Sequence, residues 1–274
     1  MPSLRLKKRR RIEKLKSIAE SIAIVFSGTV FVLAGIVYLA RLDDVTISSI
    51  LIDGDKVIDR SEVIGVARDV LSGSYVFLPR RNIFIYPKQE LIASLENSFP
   101  RIKKVAVKRD SLNTLHIYIL EREPDALWCK GVPNNFKDCF YVDEEGFIYS
   151  KAPFFSGDVF FRYYGGKINR SNPLRNNLVS SKWIQELKTF NSHLEDLKIK
   201  ARGVYLKKDD FEILLANNSK LLLKYEDSLE NTFSRLRSLF RGSEYSFVDS
   251  EGPTFLYVDL RFGERVYYKL NEHE

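Results

Sequence analysis

The chain has 274 residues, 45% of them hydrophobic and 29% charged, with 43 Lys and Arg against 36 Asp and Glu and a formal net charge of +7. The excess is local: residues 1–17 hold eight bases and one acid, and the rest of the chain carries 35 of each sign. This argues against a nucleic-acid footprint, because the surplus sits in a tail that anionic lipid and membrane topology already explain.

Behind the tail, residues 21–40 form the only long uncharged stretch in the chain. At about 1.5 Å of helical rise per residue, twenty residues cover about 30 Å, the thickness of a bilayer's hydrocarbon core. One crossing is expected over residues 18–41, behind a basic cytoplasmic tail over 1–17. Orientation follows from the flanks: Arg5, Lys7, Lys8, Arg9, Arg10, Arg11, Lys14 and Lys16 precede the stretch, whereas Arg41, Asp43 and Asp44 follow it. Lys and Arg near a membrane helix stay on the cytoplasmic side, so the tail is expected inside and the body outside. A cleaved signal peptide is the competing reading. Its apolar core would be about 7–15 residues ending at small residues, whereas this run is longer and Tyr38-Leu39-Ala40-Arg41 is a poor cleavage site. Ser21, Gly28 and Gly35 recur every seven residues, which puts three small residues on one helical face where another membrane helix could approach; the general abundance of small residues in membrane helices explains the pattern equally.

The chain has two cysteines, Cys129 and Cys139, both on the expected outer side. Between them Gly131, Pro133, Asn134 and Asn135 signal a hairpin with one Cys on each strand. A bridge there would close a loop of about ten residues and contribute about 2–3 kcal/mol by chain entropy in an oxidising compartment. Two small buried thiols are the alternative. A zinc site lacks ligands, because the three histidines are scattered.

Residues 44–122 read as strand, helix, helix, strand, strand. Residues 46–52 are β-rich and end at the turn signal Asp53-Gly54. Asp59 with Glu62 three residues on resembles a capping box, ahead of an apolar stripe through Val63, Ile64, Val66, Ala67, Val70 and Leu71, with Gly73 as C-cap. Pro87 suits the first turn of a second helix carrying Leu91, Ile92, Leu95 and Phe99, and Pro100 ends it. Val105 and Val107, then Leu115, Ile117 and Ile119, alternate with polar or exposed positions around a turn over 110–113, as two half-buried strands would. Residues 74–86 are apolar enough for a strand but broken by Pro79-Arg80-Arg81-Asn82, and are expected as an ordered connection packed on the sheet.

Residues 123–271 are mainly β. Strands are expected over 126–129, 139–142, 147–149, 159–163, 203–206, 211–215, 221–225, 255–261 and 265–270. Two helices interrupt them: one over 179–192 with Val179, Trp183 and Leu187 on one face, and one starting near Asp227 that stacks Leu229, Phe233, Leu236 and Phe240. Arg235, Arg237 and Arg241 lie near the end of the second, where the helix dipole favours cations. The expected fold class is α+β: a single N-terminal membrane helix, a βααββ domain, and a mainly antiparallel β domain with two helices.

This order resembles the FtsQ/DivIB family of bacterial cell-division proteins. Ile52-Asp53-Gly54 followed by Val57 is similar to the first strand and turn of that family's POTRA domain, and Phe99-Pro100-Arg101-Ile102-Lys103-Lys104-Val105 with Val107-Lys108-Arg109 to a later strand. Ile117-Tyr118-Ile119-Leu120-Glu121-Arg122-Glu123-Pro124-Asp125-Ala126-Leu127-Trp128 resembles the family's Glu-Arg-x-Pro junction into the β domain. Tyr141-Val142-Asp143-Glu144-Glu145-Gly146-Phe147-Ile148 resembles the next strand-turn-strand, and Tyr257-Val258-Asp259-Leu260-Arg261-Phe262 the closing Val-Asp-Leu-Arg-aromatic segment. Three places depart from the pattern: Ser111-Leu112 stand where members commonly have Trp-Pro, the cysteine pair is not a family hallmark, and residues 74–86 are unusual.

The resemblance implies a scaffold without catalysis or cofactor, held in the inner membrane at the septum, that recruits and regulates peptidoglycan synthesis proteins. It implies FtsB/DivIC-like and FtsL-like partners at the β domain, and further divisome contacts through the POTRA domain. Physically, a terminal strand can leave an edge to which an incoming peptide adds a strand. The candidate partner-binding residues are Arg261, Phe262, Glu264, Arg265, Val266, Tyr267 and Tyr268, with Val266 and Tyr268 expected to face the core. A membrane-anchored enzyme acting on the wall is the second class, from the carboxylates Asp143, Glu144 and Glu145 and the group Asp249, Glu251 and Asp259. Asp-Glu-Glu-Gly is an ordinary hairpin loop, however, Asp259 is expected to pair with Arg261, and no Gly-x-Ser-x-Gly, His-Glu-x-x-His or Walker-type loop is present. A POTRA-bearing transport component would need a β-barrel, for which the chain has no room after residue 124.

Overall fold

The computed structural model describes residues 3–215, 218–242, 247–248 and 252–271, with side chains at Lys16 and from Ile18 onward. The chain divides into two compact units, Met1–Glu121 and Arg122–Glu274.

The first unit opens with helix α1, Ser3–Leu39, within which Ile18–Leu39 is long and apolar enough to cross a membrane. Gly28 and Gly35 have nothing from the rest of the chain near them. Beyond it come β1 (Ser49–Asp53), α2 (Arg60–Leu71), a two-stranded hairpin of β2 (Ser74–Tyr75) and β3 (Leu78–Pro79), α3 (Lys88–Ser98), β4 (Ile102–Arg109) and β5 (Thr114–Glu121). The main sheet has the order β1-β5-β4, with β1 parallel and β4 antiparallel to β5. Val63, Ala67 and Leu71 of α2 and Leu91 and Leu95 of α3 recur every four residues, so each helix buries one stripe against Ile52, Val105, Leu115 and Ile117 of the sheet.

Local chemistry accounts for the boundaries. Asp59 caps α2, its Oδ1 accepting from Ser61 N at 2.7 Å. Gly54 has φ +88°, and a Cβ there would stand 2.0 Å from Ile119 O, so only glycine fits the turn after β1. Glu121 ends the unit by accepting three main-chain N–H groups at once, from Lys56 (2.7 Å), Val57 (2.9 Å) and Ile58 (3.0 Å). Burial pushes its carboxyl up, and these bonds outweigh that and leave it below the usual carboxylate range. Three expectations shift: β1 starts at Ser49 because residues 43–45 form a short 3-10 turn, Pro87 sits at the N-cap of α3 rather than inside it, and within 74–86 only part of the segment packs, with Ile83 buried and the hairpin tip outside.

The second unit contains β6 (Ala126–Val132), β7 (Asn135–Val142), β8 (Ile148–Lys151), β9 (Phe161–Gly165), α4 (Ser181–Asp196), β10 (Ala201–Leu206), β11 (Asp210–Leu215), β12 (Lys220–Lys224), α5 (Leu229–Gly242), β13 (Phe255–Phe262) and β14 (Arg265–Leu270). All nine strands join one sheet in the order β14-β13-β12-β11-β10-β9-β6-β7-β8. Most neighbours are antiparallel, but β6 with β9, β9 with β10 and β12 with β13 run parallel. The last two pairs enclose α4 and α5, because a crossover helix returns the chain to the same end of the sheet.

Both helices lie on one face of this sheet, over Phe211, Ile213, Leu221, Leu223, Phe255 and Val258. The buried stripe of α4 is Ile184, Leu187, Phe190 and Leu194. Leu187 lies in the stripe as expected, and Trp183 packs beside it, edge-on to Phe211; the start is corrected, because the helix begins at Ser181 behind a Ser180 cap, so Val179 packs on the same core but precedes the helix. Likewise α5 begins at Leu229, two residues after the expected start, and Asp227 outside it pairs with Arg235. On the other face a smaller cluster forms around Leu127, Cys129, Ala152 and Tyr164. Cys129 and Cys139 face each other across β6 and β7, with Cα atoms 4.1 Å apart, and are joined as a disulfide.

Candidate partner-binding edge

The two outermost strands of the nine-stranded sheet are treated differently. The start of β8 is covered by its own chain: Ile148 N donates to Asn176 O at 2.9 Å and Arg175 N to Ile148 O at 2.8 Å, and just before the strand Leu178 N donates to Gly146 O at 3.0 Å. Asn176 holds that cover in shape, its Nδ2 donating to Pro173 O and Leu174 O, each at 3.1 Å. At the opposite end, no strand among the described residues pairs with the outer side of β14.

The edge is built by a tight turn. Phe262 pairs with Arg265 around Gly263-Glu264, and Gly263 has φ +61°, the left-handed conformation that the first residue of a two-residue hairpin turn of this type requires. Arg235 of α5 donates to Gly263 O and to Thr232 Oγ1, so the helix fixes the turn in place. Across the hairpin Arg265 bonds inward, and at the other end Asn271 N donates to Thr254 O at 3.0 Å. A strand alternates its main-chain direction, so Val266, Tyr268 and Leu270 turn their N–H and C=O groups outward.

The candidate side chains divide into three sets. Val266 packs on the core, as expected, together with Leu270. Tyr268 faces the core side too, as expected, its ring 5.0 Å from that of Phe247, and stays 38% exposed because an edge strand has a neighbour on one side only. Phe262 (54% exposed) and Tyr267 (48%) meet edge-to-face at 5.3 Å, forming with Tyr268 an aromatic rim along the open edge. Glu264 and Arg265 are exposed. Arg261 is engaged inside the chain: its Nε and Nη2 donate to Asp259 at 2.9 and 2.7 Å and its Nη1 to Asp210. The hydrogen bond with Asp259 holds the guanidinium pKa well above its ordinary value. Burial raises the Asp259 carboxyl, and Arg261 more than reverses this, leaving it below the usual range.

Asp259 also accepts Arg261 N at 3.1 Å, satisfying a donor where the pairing of β13 with β14 slips. The acidic run after β7 is structural in the same way. Asp143 is buried, accepts from Glu145 N and Phe147 N at 2.9 Å each, and pairs with Arg122, whose guanidinium lies 4.1 Å over the Phe147 ring. Asp249 and Glu251 lie outside the described residues. Among the described residues no cluster of three His, Cys, Asp or Glu could hold a metal ion.

Sequence reasoning found the hairpin and its aromatic residues. It missed Arg235, read as a helix-dipole cation, and Asp210, which lies 51 residues from the Arg261 it binds. Neither contact carries a local signal.

A family model described as POTRA domain, FtsQ-type, matches residues 45–122. No curated protein matches the chain. The matched residues are those of the β1-β5-β4 sheet and its two helices, preceded by one apolar helix and followed by a β-rich unit. Residues 45–122 are thus an FtsQ-type POTRA domain, and with the apolar helix before it and the β-rich unit after it this match supports membership of the FtsQ/DivIB family.

Proposed function

We propose that this protein is a non-enzymatic, single-pass scaffold of the bacterial division machinery, and that it recruits FtsB/DivIC-like and FtsL-like partners by strand addition to β14. The observation that carries this reading is the open outer side of β14, rimmed by Phe262, Tyr267 and Tyr268, in a sheet whose other edge is covered at its start by its own chain. An incoming strand would satisfy the outward main-chain groups of Val266, Tyr268 and Leu270, and the rim would supply apolar contact. The recruited proteins belong to septal peptidoglycan synthesis, with the tail inside, the POTRA domain and the β domain outside and the POTRA domain meeting other division proteins. The family-type domain and the apolar helix support this placement.

The test is a titration of the full chain in nanodiscs with the extracytoplasmic segments of the host's FtsB/DivIC-like and FtsL-like proteins, beside Val266→Pro. Proline there removes an outward N–H and leaves the inward ladder intact. Binding that is lost in a folded variant supports strand addition; equal affinity for the two proteins refutes it.

A further inference from the structure

The end of the membrane helix is tied to the segment over residues 74–86. Arg41 Nη2 donates to Phe77 O at 3.1 Å, and Asn82 Nδ2 to Ala40 O at 2.9 Å. Main-chain bonds from Ile47 N to Arg81 O (2.8 Å) and from Ile83 N to Val45 O (2.9 Å) continue the join. The segment therefore lies beside the last turn of the span, at the level where hydrocarbon gives way to headgroups.

There it presents apolar side chains outward. The tip of the β2–β3 hairpin consists of Val76, 84% exposed, and Phe77, 66% exposed, with Phe84 and Ile85 exposed nearby. Val76 has φ +50°, a conformation that glycine adopts freely and a β-branched residue rarely does. For a turn in water, Gly, Asn or Asp would relieve both the strain and the exposure, so aqueous turn chemistry does not explain this residue. The surrounding charge is mixed: Arg41, Arg81 and Lys88 are exposed, Asp43 and Asp44 are exposed at the foot of the helix, and Arg80 is paired with Glu90. Attraction to anionic lipid is therefore not the main force.

We propose that Val76 and Phe77, with Phe84 and Ile85, dip into the interfacial layer of the bilayer that α1 spans, so that the hairpin is a second, shallow membrane contact. Exposed apolar and aromatic side chains gain by leaving water at that depth, where aromatic rings concentrate. The inference rests on α1 being a membrane anchor. Lipid is the occupant because the hydrogen bonds to Ala40 and Phe77 fix the hairpin at the height where the span ends.

The test uses the full chain reconstituted in phosphatidylcholine vesicles whose acyl chains carry bromine at shallow or deep positions. Tryptophan is placed by Leu33→Trp in the span, by Phe77→Trp and Phe84→Trp at the hairpin, and by Val57→Trp at an exposed site past the far end of β1; each is read against the background of Trp128 and Trp183. The expected result is at least about twofold quenching of the added emission by shallow bromines at residues 77 and 84, deep quenching at 33, and none at 57. Quenching at 33 without quenching at 77 or 84 overturns the proposal. Absence of quenching at 33 overturns the anchor and the proposal with it. A blue-shifted, unquenched tryptophan at 77 overturns it in favour of a protein cover, and quenching only after anionic lipid is added overturns it in favour of headgroup attraction.

Discussion

β8 and β14 end the same sheet, yet the chain covers the start of one and, among the described residues, pairs nothing with the outer side of the other. The segment over 174–178 folds back on the start of β8 and takes up the main-chain groups of Ile148, with Asn176 bonding three carbonyls of its own loop to hold the shape. β14 receives no such cover among the described residues, and beside its exposed Arg265 and Lys269, the kind of charge that commonly blunts an edge, it carries the aromatic rim. The difference teaches that the chain can cover an edge with its own loop, and that the proposed strand addition belongs at the edge where it does not.

The largest expected effect comes from breaking β14 itself. Val266→Pro should weaken binding of the FtsB/DivIC-like segment by about a hundredfold or more, roughly 3 kcal/mol, while the thermal unfolding midpoint moves little. Calorimetric titration with a parallel melt checks both halves. Next is the disulfide near the β8 edge. Cys129→Ala with Cys139→Ala should lower unfolding stability by about 2–3 kcal/mol, read by denaturant titration, and leave partner affinity unchanged, because the bridge lies on β6 and β7, well away from β14.

A smaller effect sharpens the role of the rim. Tyr267→Ala should reduce affinity about tenfold, near 1.4 kcal/mol, with stability almost unaffected since the ring is half exposed. Subtlest is the pH dependence. The Asp259 carboxyl is held below its ordinary value of 3.8, so the stability it contributes is fully present above that pH and is lost as pH falls through the lowered folded value. Asp259→Asn should therefore flatten the fall of stability below about pH 4, measured by acid titration of tryptophan fluorescence.

Much of this contrast was legible in the sequence. Phe262-Gly263-Glu264 marked the turn, and the alternation of Val266 with Tyr267 marked a half-buried strand. What sequence could not supply was the strand's place in the sheet. That depends on α5 carrying the chain from β12 to a parallel β13, which leaves β14 outermost, and reading α5 as an interruption among antiparallel strands hides it. Alternation placed Tyr268 on the core face, where it lies, but not its degree of exposure, since period two assigns a face and not the number of neighbours. The Arg261 bond to Asp210 and the Arg235 bond to Gly263 O join residues far apart in the chain, and only the folded sheet brings them together. In the first unit, by contrast, caps, stripes and the Asp53-Gly54 turn were all local, and its core was readable nearly throughout.

The central claim is that β14 is an edge awaiting a strand, and the most direct measurement is residue-resolved amide hydrogen exchange on the full chain with and without the FtsB/DivIC-like segment. The account predicts that the amides of Val266, Tyr268 and Leu270 exchange freely alone and slow by about tenfold or more when the segment binds, while Ile148, already bonded to Asn176, is protected in both states. Binding that leaves those three amides as fast as before would contradict it.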